Sequence, residues 1–251
     1  MFLSWKLRIY RLLGVLFYIA IWQIIGFFLN LNITPFTVLL ELKNLITFET
    51  GNIILYTSFL VLSGFLISFF AGVIFAYLAY RFTIFRILLD PIVTFCRSTP
   101  IVIIIMALLL YFTPENVGGI IIIATVAPII YLNTLTSLEN MNKELDEIAD
   151  VFGAGTFTRA FRVHFPQIVP SLFASANIGI GFAFKSAITA QVISLTAGSI
   201  GEQVYLAKLY IDSNLLTAWL IIILITGSLL QAGISFIFSR LAYDYNLKKS
   251  S

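Results

Sequence analysis

Six stretches of this chain are long apolar runs, and runs of that length leave few folds open. They lie at about Leu12–Leu29, Ile53–Tyr80, Thr99–Phe112, Val117–Thr136, Gln167–Leu195 and Leu215–Ser239. A helix that crosses a bilayer needs about 20 apolar residues. In hydrocarbon every backbone N–H and C=O must be paired within the segment, so such runs read as helices. The third run is short unless it begins before Pro100, near Val93, and Ile53–Tyr80 is long enough to tilt or to extend past the bilayer. Hydrophobic residues make up 60% of the 251 positions and charged residues 11%, against about 25% charged in soluble domains. No soluble core hides that much apolar surface. The expected fold is an all-α membrane protein of about six transmembrane helices in one domain, 1–251. Residues 1–50 supply a first span and an external segment, and 52–240 a core. Lys6, Arg8 and Arg11 ahead of Leu12–Leu29 resemble a signal sequence, but the run is too long and lacks a small-x-small site, so it reads as an uncleaved first span.

The basic residues sort by side. With the N-terminus inside, the inner segments hold Lys6, Arg8, Arg11, Arg81, Arg86, Arg97, Lys143, Arg159, Arg162, Arg240, Lys248 and Lys249. The outer loops hold only Lys43 and Lys208, and Lys185 falls within a span. Positive-inside asymmetry then puts both termini and the Glu139–Pro166 segment in the cytoplasm. Gly64, Ser68 and Gly72, four apart, make a small-residue face for close packing, or are ordinary small-residue usage in a membrane helix. Residues 33–51, with Pro35, Glu41, Lys43 and Glu49, read as an external amphipathic segment. Asn32-Ile33-Thr34 is a glycosylation sequon by pattern and carries no assigned role.

Between Glu139 and Pro170 the apolar pattern stops. Glu139, Lys143, Glu144, Asp146, Glu147, Asp150, Arg159 and Arg162 gather there, between two predicted spans. In Glu144–Phe152 the residues Leu145, Ile148, Ala149 and Phe152 recur at i, i+3, i+4 and i+7, the stripe of an amphipathic helix. Glu144, Asp146, Glu147 and Asp150 fill the other face, early in the helix, where its dipole favours them. Asn140 or Asn142 suits the N-cap. Gly153 and Gly155 supply the stop, with Gly153 expected at positive φ. A second short helix, Thr156–His164, is expected to lead to Pro166 and the next span. Interfacial helices that lie on lipid usually carry a basic polar face. This one is acidic, which favours a protein groove over the bilayer surface.

These residues carry a resemblance. The segment resembles the EAA signature of the membrane subunits of binding-protein-dependent ABC importers: EAA, three residues, G, nine residues, I-x-L-P. Glu147-Ile148-Ala149 stands for EAA, Gly153 for the glycine, Val163 and Phe165 for the aliphatic pair and Pro166 for the proline. Arg97-Ser98-Thr99-Pro100 is similar to the R-x-x-P start of a core span in such permeases. Lys185–Ala190, Ser199-Ile200-Gly201 and Ala218-Trp219 are similar to the sulfonate, taurine and nitrate branch. That branch often carries A-E where this chain has Ala190-Gln191. The resemblance runs from about Ile53 to Arg240. It implies a permease fold of the type I importer kind and a coupling helix built on Glu147, Ile148, Ala149, Asp150, Phe152, Gly153 and Pro166. It also implies two cytoplasmic ABC ATPase subunits, an extracytoplasmic solute-binding protein, a second permease copy and the bacterial cell membrane as the setting. Lys185 and Gln191 are candidates for the translocation path of a small anionic or sulfonate-like solute.

Other chemistries find little support. The chain has no G-x-x-x-x-G-K-[ST] loop for nucleotide phosphates, no HExxH, no GxSxG and no carboxylate pair within a span. It is therefore read as not an enzyme, without cofactor or metal. Cys96 is the lone cysteine and His164 the lone histidine, so no thiolate cluster can form, and the histidine reads as structural or interfacial. Lys185, a charge in a span, faces a cavity or a partner by default. An ion pair, or snorkelling to the outer surface, would also satisfy it. The rival function is a self-contained secondary carrier. Such carriers usually show several in-span ionisable groups, and here only Lys185 qualifies.

Overall fold

The computed structural model describes residues 33–250, together with positions 10, 13, 14, 17, 18, 20–26 and 28; the side chains of Lys143, Asp146, Asp150, Ser239 and 241–250 are outside that description. Every regular element among the described residues is helical. The expected first span, Leu12–Leu29, and the basic residues Lys6, Arg8 and Arg11 fall largely outside the described residues; the described positions from 10 to 28 are helical.

The external segment forms α1, Pro35–Asn44, which begins at a reciprocal Thr34/Thr37 capping box. Thr37 also donates its hydroxyl to Asn214 Oδ1 at 2.9 Å, which ties α1 to the last helix. Next comes α2, Phe48–Arg81, of 34 residues. At 1.5 Å per residue it is about 50 Å long, more than the hydrocarbon thickness. Thr47 caps its start, Glu49 sits in its first turn and Arg81 in its last, the polarity its dipole favours. The small-residue face of α2 packs. A Cβ on Gly64 would lie 2.9 Å from Ile122 Cδ1, and one on Gly72 would lie 2.8 Å from Ile130 Cβ. Both partners belong to α5, Pro114–Glu139. The two helices approach so closely because these positions lack side chains.

The third predicted span takes a different form. Instead of one helix over Thr99–Phe112, the chain makes α3, Thr83–Ser98, and α4, Ile101–Leu108, bent by 104°. Pro100 supplies no N–H, and Thr99 before it is forced extended, with ψ 130. The crossing survives the break. Gly64 and Gly72 of α2 face Ile122 and Ile130 of α5 in the same order, so α2 and α5 run parallel. The bent pair must carry the chain back between them. Four further helices are long and apolar enough to cross a membrane, or five spans with the bent pair, among the described residues.

A single helical run, Thr156–Ser194, crosses antiparallel to α5. It contains α7, Thr156–Arg159, a π-helical turn, Ala160–His164, and α8, Phe165–Ser194. The second short helix expected at Thr156–His164 is thus continuous with the span. The π turn has an evident cause: Pro166 offers no N–H and its ring crowds the preceding turn, and a wider turn absorbs both. The core lies where α2, α5 and α8 meet, around Val61, Phe65, Ile122, Val126, Ala176 and Ile180. Beyond α8 come α9, Ile200–Leu209, and α10, Ser213–Ser250.

Candidate functional site

The polar stretch folds into α6, Lys143–Val151, joined to α7 by a tight turn. Its cap is Asn142, whose Oδ1 accepts from the Glu144 N–H at 2.9 Å. Asn140 instead donates its amide back to the Thr136 carbonyl at the end of α5. The Asn142 N–H donates to Gln167 Oε1 at 3.0 Å, which fixes the start of α6 to the start of α8. At the other end Gly153 has φ 63, the left-handed value its place in the signature suggested. There the Ala154 N–H reaches back to the Ala149 carbonyl at 2.9 Å, closing the helix as a left-handed C-cap does. Arg159 Nε then donates to the Ala154 carbonyl, bracing the turn from α7.

The stripe on α6 is mostly bare. Ala149 is buried at 7%, but Leu145, Ile148 and Phe152 are exposed, Phe152 at 84%, and Val151 beside them at 85%. Glu144 and Glu147 are exposed on the polar side. The side chain of Asp150 lies outside the described residues. Pro166 is half-buried in the first turn of α8. Signature residues 147–153 therefore form one projecting element, and Pro166 marks where it rejoins the span. His164 is buried between Tyr77 and Tyr80, with ring centroids 6.0 and 5.7 Å away, in keeping with its structural reading. Arg86 of α3 pairs with Glu139, the last residue of α5, at 2.5 Å. The sequence reading had no helix for α3 and so missed this link.

The two in-span candidates part company. Lys185 is exposed on α8, its Nζ 5.9 Å over the Phe182 ring. It borders a recess of about 230 Å³ that Ser228 and Gln231 of α10 also line. No carboxylate pairs with it among the described residues. Gln191 is fully buried. Its Oε1 accepts from the Thr57 hydroxyl at 3.3 Å and from the Gly201 N–H at 3.4 Å. Thr57 in turn accepts from the Ile200 N–H at 3.2 Å. This amide binds α8, α2 and α9 together, and in this conformation it faces no open space. Gly201 allows the approach, since a Cβ there would lie 2.4 Å from Gln191 Cβ. The one available signal was the small residue in Ser199-Ile200-Gly201.

A multi-pass helical domain with a broken span and a bare acidic–apolar helix at one end defines a membrane-spanning protein. Residues 64–243 match the family described as binding-protein-dependent transport system inner membrane component, and the chain belongs to that family. Its relatives include the aliphatic sulfonates transport permease protein SsuC of Bacillus subtilis (strain 168), 26% identical over 84% of this chain and 78% of that one. The glycine betaine transport system permease protein OpuAB of the same organism is 24% identical over 78% of this chain and 67% of that one. Among solved structures, an inward-facing MetNI methionine ABC transporter chain superposes with a TM-score of 0.67 at 16% identity, over 79% of this chain and 98% of that one. That likeness shows the fold, a type I importer transmembrane domain. The protein is a permease component of an ABC import system, a multi-pass membrane protein that works with an ATPase and a binding protein. The secondary-carrier alternative is set aside.

Proposed function

We propose that this chain forms half of the translocation path of an ATP-driven importer, and that α6 transmits ATPase closure to the spans. The assembly would hold two permease copies, two cytoplasmic ATPase subunits and one extracytoplasmic binding protein. Both termini and α6 would lie in the cytoplasm, as the basic-residue asymmetry favours. The observation that carries the reading is the bare apolar stripe of α6, held at a set angle by Asn142 and Gly153. An exposed apolar face flanked by carboxylates suits a protein groove. A rigid helix seated there moves with the ATPase and swings α8, to which Gln167 ties it.

The cargo side of the proposal rests on Lys185. An ammonium in a span, unpaired among the described residues and open to a recess, attracts a small anion. Aliphatic sulfonates, the cargo in the name of the Bacillus subtilis relative, are of that class. Gln191, turned inward, takes a structural part and not a path-lining one.

The test is co-purification of the ATPase with the permease, together with uptake by the assembled complex. Phe152→Ala and Glu147→Lys should each lower ATPase yield and uptake while the permease stays inserted. Full yield and full uptake for both variants would remove α6 as the coupling element.

A further inference from the structure

The base of α6 is joined to more than α8. Asn142 ties it to that helix through Gln167, but a second link leads elsewhere. Glu139 ends α5, and Asn140, Met141 and Asn142 alone separate it from α6. That linker has little slack. The Asn140 amide donates to the Thr136 carbonyl, and Met141 packs against Leu138, Ile168 and Leu172. Arg86 Nη1 donates to Glu139 Oε1. Arg86 belongs to α3, where Asp90 Oδ2 lies 4.0 Å from its Nε, one turn further on. The guanidinium is thus braced from its own helix. A carboxylate at a helix C-terminus opposes the helix dipole, so Glu139 does not favour α5 by itself and is matched by the cation of α3. The two side chains are 47% and 41% exposed, and an ion pair so close to water adds little to stability. What it supplies is direction.

Further along, α3 is seated by apolar contacts: Leu89 and Val93 pack with Ala76, Ala79, Tyr131 and Leu135. Such contacts are non-directional, and packed helices slide on them by small steps. Ser98, about 18 Å beyond Arg86 along the helix axis, adjoins the 104° break. The break bends more easily than a continuous helix, because Thr99 is extended and Pro100 has no N–H. Past it, Ile105 of α4 packs with Val117 and Ile121 of α5 and Ala190 of α8. We propose that Arg86 and Glu139 are positioning residues for coupling: a shift of α6 that reaches Glu139 carries Arg86 with it, and α3 then swings α4 about Thr99 and Pro100. This rests on α6 as the coupling element. It adds to the route through Gln167 a second one, and it makes the broken span a moving part.

The experiment uses the permease assembled with its ATPase in a lipid bilayer. A nitroxide is placed on Ile103→Cys of α4 or on Ala174→Cys of α8, both exposed sites, in a Cys96→Ala background. Electron paramagnetic resonance line shapes are recorded without nucleotide and with ATP and vanadate. With no further change, both labels should respond to nucleotide. Glu139→Arg, which sets like charges together, should abolish the response at 103 and keep that at 174, with ATPase co-purification intact. Arg86→Glu combined with Glu139→Arg brings opposite charges together again and should restore the response at 103, as two directly coupled positions require. A merely structural pair would not divide the two labels in this way. A response at 103 that survives Glu139→Arg would overturn the proposal, as would failure of the double exchange to restore it. Loss at both positions, or loss of the ATPase, in Glu139→Arg would also overturn it, by assigning the pair to the seating of α6. A response at 174 alone before any charge is changed would overturn this route and leave α6 as the coupling element. Silence at both positions there would remove α6 from that role, and the proposal with it.

Discussion

The helical run from Thr156 to Ser194 has two unlike ends. At its far end α8 stops in a left-handed residue, Leu195 at φ 54, and the chain folds back so that Gln191, Thr57 and Gly201 meet in a buried hydrogen-bonded tie. At its near end a π turn leads to a helix whose apolar residues are largely exposed. The first end turns the Gln191 oxygen onto donors of its own neighbours and packs backbone on backbone. The second leaves apolar surface unmatched, at a defined angle. Burial of apolar area is worth about 25 cal/mol per Å², and the proposed docking of α6 would draw on the bare stripe for it.

The largest expected effect tests the self-contained end. Gly201→Val would force a side chain to within 2.4 Å of Gln191 Cβ and 2.6 Å of the Val192 nitrogen. Backbone cannot yield as a flexible side chain can, so α9 must lift from α8 at a cost of about 3 kcal/mol. Thermal unfolding of the detergent-solubilised chain should show a clear fall in Tm. An unchanged Tm would mean the tie does not hold this end.

Gly153→Val should act differently. No atom lies within 4 Å of a Cβ there, yet φ is +63, so the cost is backbone strain alone, about 1–2 kcal/mol. It should fall on α6: ATPase co-purification drops while the Tm of the isolated permease hardly moves. A Tm loss as large as that of Gly201→Val would erase the distinction between the two ends. Asn142→Ala removes the N-cap of α6 and should cost that helix about 1 kcal/mol, seen as faster amide exchange over 143–151 with the spans unaffected. The smallest effect belongs to Gly155→Ala. Gly155 has φ −65 and open space around it, so a change under about 0.5 kcal/mol is expected. ATPase yield matching wild type would separate the role of Gly153 from that of its neighbour.

Much of the projecting end was legible in the sequence because its signals are local. A 3.6-residue stripe, a capping asparagine and a glycine at the stop act within a dozen residues, and they produced α6 and the left-handed Gly153. The span boundaries came out well where a run was uniformly apolar, as in α8. The third span did not. Its hydropathy marked a crossing, but the 104° bend depends on what Thr99 and Pro100 do to the backbone, and α3 ahead of it is too amphipathic to stand out as a span. The merging of Thr156–His164 into α8 was hidden for a related reason. A proline usually signals a break, and here a π turn ahead of Pro166 accompanies the helix as it runs on.

From the sequence alone came the membrane class, the helical fold, the acidic–apolar helix α6 and the small-residue face of α2, since hydrophobic length and local periodicity are written residue by residue. Only the tertiary structure decided that Gly64 and Gly72 meet Ile122 and Ile130, that Lys185 opens to a recess, and that Gln191, its near neighbour on α8, turns inward to Thr57 and Gly201. Six positions apart on one helix, Lys185 and Gln191 differ by 600° of rotation at 100° per residue, which leaves them about 120° apart and on different faces. What each face meets was set by the packing of helices distant in the chain, and no local pattern carries that information.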